Sequence, residues 1–149
     1  MFEFQNRLEE LIKKNNEDQE ALAKELGLSY SAFLGYVEKG YNPELAIACK
    51  LAKHFNCSVH YLMGLTDDPK VKSKNQLTFM QTLKKLMKEN GWSIERLMDH
   101  LGMSDSTYYR WKNNDSIPSM KSLTTLSTFF NVTIDYLIGS DKETVTRRK

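Results

Sequence analysis

The chain has little of what marks several large protein classes. Its two cysteines, Cys49 and Cys57, are too few for a disulfide scaffold and fit a reducing compartment. Seven glycines and three prolines in 149 residues exclude collagen-like and low-complexity chains. No stretch approaches the roughly 18 uninterrupted apolar residues of a spanning helix. Residues Met1 to Glu10 lack the basic-then-apolar layout of a secretory leader. A cytoplasmic chain without membrane association is therefore expected. Only three histidines occur, there is no glycine-rich phosphate loop, and no serine or cysteine has a recognisable base partner. Neither an enzyme nor a cofactor is expected. Cys49, His54, Cys57 and His60 crowd one segment, yet their spacing matches no closed zinc site. Cys57 reads as a small core residue, Cys49 as part of a helix face, and no metal is expected.

What remains is a chain that can fold. It is 40% hydrophobic and 27% charged, with a mean hydropathy of −0.54, and its length suits one domain or two small ones. A net charge of +2 and an isoelectric point near 8.4 fall short of the pI above about 9 of a typical nucleic-acid module. That total hides an uneven distribution.

Sliding the chain against itself at an offset of 75 aligns residues 4–64 with 79–139 without a gap, and 18 of the 61 pairs are identical. Ordinary residue usage would give roughly four. The pairs include Leu8/Leu83, Leu26/Leu101, Gly27/Gly102, Ser29/Ser104, Pro43/Pro118 and Gly64/Gly139. Two copies of one fold follow: domain 1 over 1–68 and domain 2 over 79–139. The stretch Leu65 to Thr78 lacks apolar periodicity and reads as a solvated linker, assigned as 69–78, and 140–149 forms a basic tail.

Within each repeat the apolar spacing is helical and no strand-like alternation appears, so each is all-α. In the second repeat a first helix carrying Leu83, Leu86 and Met87 stops at Asn90-Gly91. Ser93 caps a short second helix that ends at Gly102. Ser104 caps a third helix with Tyr108 and Trp111 inward, and two further helices hold Leu123, Leu126 and Phe130, then Ile134 and Leu137. The first repeat copies this with Asp18, Gly27 and Ser29.

Two short helices about a tight glycine turn, inside a five-helix unit, are the arrangement of a helix-turn-helix DNA reader. The run Gln19 to Ser29 with Pro43 beyond it, the run Leu101 to Trp111, and the endings Tyr61-Leu62-Met63-Gly64 and Tyr136-Leu137-Ile138-Gly139 resemble the lambda-repressor and Cro-like helix-turn-helix family. The resemblance covers both repeats and implies two tandem five-helix domains and double-stranded DNA as a partner.

By position, it places Ser104, Asp105, Ser106, Tyr109, Arg110 and Asn113 on the outward face of the third helix of repeat two, with Asn114 and Ser116 in the loop behind. Arg110 can make a bidentate contact to guanine, Ser106 can bond base edges, Tyr109 can touch a thymine methyl, and Asn113 or Asn114 can hold phosphate. Asp105 can accept from a cytosine amino group or favour the helix N-terminus by its charge. The first repeat offers Tyr30, Ser31, Leu34, Gly35 and Glu38 instead, with nothing like Arg110. Gln19 sits where the family anchors phosphate, and Ile94 takes its place in repeat two. Leu34 lies outside the inward stripe of Phe33 and Tyr36, so Tyr30 and Leu34 form a candidate patch for a protein.

Charge divides the same way. Residues 1–68 sum to −4, whereas everything from residue 69 onward sums to +6, and phosphate attraction is the sequence-independent part of DNA affinity. The expectation is a sequence-specific DNA-binding transcriptional regulator, a repressor of the phage or mobile-element type, whose second repeat reads DNA. Its first repeat would join a homodimer. The alternative is a protein-interaction module, an antirepressor or inhibitor built on a degenerate tandem helix-turn-helix.

Overall fold

A computed structural model describes residues 3–71, 74–113 and 118–147. Among them are eleven α-helices and no strand, and no helix is long and apolar enough to cross a membrane. The chain divides into two compact units, Met1–Lys72 with Thr144–Lys149, and Ser73–Glu143.

The first unit contains α1 (Glu3–Lys14), α2 (Gln19–Glu25), α3 (Tyr30–Glu38), α4 (Leu45–His54) and α5 (Val59–Leu62). The second contains α6 (Phe79–Asn90), α7 (Ile94–Leu101), α8 (Asp105–Lys112), α9 (Met120–Phe130) and α10 (Ile134–Ile138), followed by α11 (Asp141–Arg147). The order of five is the same in both, and so is the packing logic. Leu8, Leu51 and Leu62 are fully buried, as are their counterparts Leu83, Leu126 and Leu137. An edge-on aromatic pair recurs at matching positions: Phe4 with Tyr36 at 6.1 Å, and Phe79 with Trp111 at 5.4 Å. Such pairs add to the stabilisation that ring burial alone provides.

Helix ends follow local chemistry. The chain leaves α1 through Asn16 at φ +52° and α6 through Gly91 at φ +70°, equivalent left-handed positions filled by the two residue types that tolerate them best. Asp18 and Ser93 accept amide hydrogens at the starts of α2 and α7, and Ser29 does so for α3. Ser104 corrects the expected pattern. It stands at the start of α8 with extended backbone, but its hydroxyl bonds those of Ser106 (2.8 Å) and Thr107 (3.1 Å) rather than capping an amide.

The stretch read as a solvated linker is held at both ends. Arg7 donates to the carbonyls of Tyr61 (2.9 Å) and Thr66 (3.3 Å) and lies over the Tyr61 ring, while Ser58 N donates to Pro69 O at 2.8 Å. In the second unit Asn75 donates to Thr82 Oγ1 and Tyr136 O, both at 2.7 Å. Thr78 forms a capping box with Gln81. Gly139 lies against the Leu77 carbonyl so closely that no Cβ fits.

The basic tail is also shaped. Its first part forms α11, tied to the second unit by Ser140 N to Leu77 O (2.8 Å), Phe79 N to Asp141 Oδ2 (2.9 Å) and a Lys142–Asp135 ion pair at 2.7 Å. Arg148 and Lys149 lie outside the described residues.

Candidate nucleic-acid interface

Two turns of packing set the α8 face. Tyr108 (6% exposed) and Trp111 (4%) point into the second unit and lock the helix against α6 and α7. Burial also raises the Tyr108 hydroxyl above its ordinary pKa, with Tyr109 adding to the shift. Because helical neighbours diverge by about 100° per residue, anchoring positions 108 and 111 turns 105, 106, 109, 110 and 113 outward. All five are exposed. Arg110 is an exposed guanidinium on a fixed helix, and Tyr109 presents 43% of its surface with the Lys112 ammonium 5.9 Å from its ring centre. Ser104, Ser106 and Thr107 form a hydroxyl cluster at the start of the helix. Asn114 and Ser116 lie outside the described residues.

Lys112 and Thr107 escaped the sequence reading. Lys112 could have been found as the cation one helical turn after an exposed tyrosine. Thr107 gave no signal beyond its hydroxyl.

The corresponding face of α3 differs. Tyr30 and Ser31 are exposed, and Glu38 is exposed at the end of the helix. Leu34 and Tyr36 are both half-buried, so the expected separation of an inward Tyr36 from an outward Leu34 is blurred. At Gly35, where the second unit carries Arg110, the ring of Tyr41 folds back onto the helix; a Cβ there would meet Tyr41 Cδ2 at 2.8 Å. The Tyr41 amide donates to the Gly35 carbonyl at 3.1 Å, fixing the return.

Gln19 opens α2 and is half-buried beside Glu9, Lys13 and Glu17. Those carboxylates make a poor seat for a phosphate. The equivalent Ile94 is half-buried and offers no polar group.

The segment that had suggested a metal is otherwise employed. His54 directs Nε2 to Glu17 (2.9 Å) and Nδ1 to Glu25 (3.1 Å). Both cysteines are buried, and Cys49 lies on the inner face of α4.

Comparison with known proteins agrees with this geometry. A helix-turn-helix family profile matches residues 83–137, the span that carries α7 and α8. The chain is similar to an uncharacterized HTH-type transcriptional regulator of Bacillus subtilis, YobD: 38% identical over 77 residues, 50% of this chain and 69% of YobD. It is also similar to the HTH-type transcriptional regulator AnsR of that organism, at 33% over 67 residues, 45% of this chain and 58% of AnsR. A third relative is the SPbeta prophage-derived regulator YonR, at 33% over 60 residues, 40% of this chain and 56% of YonR. The matches thus span between just over half and about two thirds of these relatives. No solved structure matches the chain. These are regulators rather than enzymes, and the chain belongs to the helix-turn-helix family of transcriptional regulators.

Proposed function

We propose that the chain is a sequence-specific DNA-binding transcriptional regulator of the phage or mobile-element type, acting as a repressor in the cytoplasm. The second unit reads double-stranded DNA through α8. The first unit is a diverged second copy of the same helix-turn-helix that holds a protein partner, and the working state is a homodimer. The observation that carries this reading is the contrast between two equivalent helix faces. One offers Ser106, Tyr109, Arg110 and Asn113 above a buried Tyr108 and Trp111. The other offers Tyr30, Leu34 and a tyrosine folded over Gly35. Direct readout relies most on bidentate donors aimed at base edges, and the first face supplies a guanidinium where the second has Gly35. The prophage origin in the name of YonR supports the phage-type assignment.

Arg110 is the base-reading residue in this proposal, with Ser106 and Tyr109 beside it and Ser104, Asn113, Asn114 and Ser116 serving the backbone. Selection of duplexes from a random pool by the full chain should yield one preferred site, bound with affinity that falls steeply as salt rises. Arg110→Ala should relax the choice at one base pair. A folded Arg110→Ala protein with unchanged site preference would remove the assignment. A second reading, an antirepressor or inhibitor, is favoured by the closed α3 face and the −4 balance of residues 1–68. It predicts no selected site at any salt concentration.

A further inference from the structure

The first unit's α3 has a face that the DNA-reading proposal leaves without work. Helical spacing lines up Tyr30, Leu34 and Glu38 one turn apart, with Ser31 and Gly35 alongside. Tyr41 extends this strip from beyond the helix, since its ring covers Gly35 and its amide is tied to the Gly35 carbonyl. Tyr30 is 42% exposed and Tyr41 57% exposed, two of the most open large rings among the described residues. At the equivalent positions of α8 stand Asp105, Tyr109, Asn113, Ser106 and Arg110, all bearing hydrogen-bonding groups. Core packing does not require exposed aromatic rings on α3. A glycine in mid-helix weakens that helix, and here it makes room for a ring held in a fixed, outward display. Exposed tyrosines beside an aliphatic residue are the composition of a protein contact.

The charges on the strip identify the occupant. Glu38 and Lys39 are adjacent and exposed, with the Lys39 ammonium 5.9 Å from the Tyr41 ring. A face with both signs side by side is complementary to itself. A two-fold axis through the middle of the strip would set Glu38 of each copy opposite Lys39 of the other. A nucleic-acid partner would face the exposed Glu38 carboxylate, which repels phosphate. We propose that the Tyr30–Leu34–Tyr41 face of α3 is where two copies of this chain associate. The proposal rests on the reading that the first unit holds a protein partner, and it names both the surface and the partner.

Sedimentation equilibrium of the full chain without DNA tests it. The wild type should show a reversible monomer–dimer equilibrium. Tyr30→Glu, at an exposed position, should weaken the dimer at least about tenfold, and Tyr41→Ser should act in the same direction. Glu38→Lys and Lys39→Glu should each weaken it by about two- to fivefold, and their combination should restore the wild-type constant. Far-UV circular dichroism confirms that each variant is folded. A wild type that stays monomeric at several hundred micromolar overturns the proposal. So does a dimer indifferent to Tyr30→Glu, or a charge-swapped pair that fails to recover. Duplex selection is scored separately with the same proteins: a monomeric chain that still selects a site leaves the DNA reading standing, and an α3 dimer that selects none removes only the DNA reading.

Discussion

Glu17, Glu25 and His54 in the first unit stand 75 positions before Trp92, His100 and Phe129 in the second, and each trio closes the same corner of its own fold. In the first, an imidazole sits between two carboxylates at 2.9 and 3.1 Å. In the second, three rings meet with centroids 5.1 to 5.3 Å apart, and the Arg96 guanidinium lies 5.0 Å from the Trp92 ring centre. The helices around the corner keep their order while its chemistry changes from polar to aromatic. What the fold demands there is three groups that satisfy one another. The α3 and α8 faces diverge in a different way: their residues are largely exposed rather than packed into the core of their own unit, so they are free to follow function.

The largest difference should appear in the cores. Trp111→Ala removes a 4%-exposed indole and its contact with Phe79, and should cost about 3–5 kcal/mol. Tyr36→Ala removes the matching ring from a half-buried position and should cost less, about 1–2 kcal/mol. Both tryptophans, Trp92 and Trp111, lie in the second unit. Tryptophan fluorescence during denaturation therefore follows that unit, while circular dichroism follows both. Undiminished stability in Trp111→Ala would show that the indole does not support the helix that presents Arg110.

A second contrast lies at the end of each fifth helix. Gly139 (φ +60°) leaves no room for a Cβ beside the Leu77 backbone carbonyl, whereas at Gly64 (φ +77°) a Cβ would meet the Glu3 side chain. The Glu3 atom in question is Cβ, which moves only with the first turn of α1, but that clash is looser than the one with the Leu77 carbonyl, which the Ser140 amide also holds in place. Gly139→Ala should cost about 2–4 kcal/mol and Gly64→Ala about 1–2 kcal/mol, both measured by urea denaturation. Equal costs would mean that Asn75–Thr78 yields as easily as the start of α1, and that this segment is less integral to the second unit than its hydrogen bonds imply.

Much of this architecture was legible in the sequence because it is written in short-range rules. Helical periodicity, the stops at Gly91 and Gly102, and the caps Asp18, Ser29 and Ser93 depend on neighbours within a few positions. The outward set on α8, implied by the family resemblance, agrees with the inward Tyr108 and Trp111. Features that depend on distant partners escaped. Asn75 and Leu77 read as linker because the groups they hold, Tyr136 and Gly139, lie about 60 residues away. Tyr41 over Gly35 needed the path of a loop, and no periodicity encodes that. Ser104 looked like a cap by type and position, and its diversion to Ser106 and Thr107 is a choice between equally local partners. The Glu17–His54–Glu25 trio was missed because His54 was weighed only with its sequence neighbours Cys49, Cys57 and His60, while the carboxylates it meets lie 37 and 29 residues earlier.

A smaller effect separates the reading faces. Arg110 is exposed and its removal should leave stability within about 0.5 kcal/mol, while costing about 1–3 kcal/mol in affinity for the preferred duplex. Titration of a labelled duplex at fixed salt measures it. If Arg110→Ala weakened all duplexes equally, the side chain would be a phosphate contact and specificity would lie with Ser106 or Tyr109.

The smallest expected effect tests whether the two corners are units of exchange. His54→Phe alone puts a phenyl ring between Glu17 and Glu25 and should cost about 1–2 kcal/mol, chiefly through Glu17. Its side chain is only 23% exposed, against 61% for that of Glu25, where water screens the loss. Importing the whole trio, Glu17→Trp with Glu25→His and His54→Phe, supplies ring contacts in place of the lost polar contacts. The triple variant should then be more stable than the sum of its single substitutions predicts, with a coupling of about 0.5–3 kcal/mol. Thermal unfolding of the three singles and the triple in the full chain measures that coupling. Strict additivity would mean that the corner is three separate positions, and that its change from polar to aromatic between the units was accumulated one residue at a time.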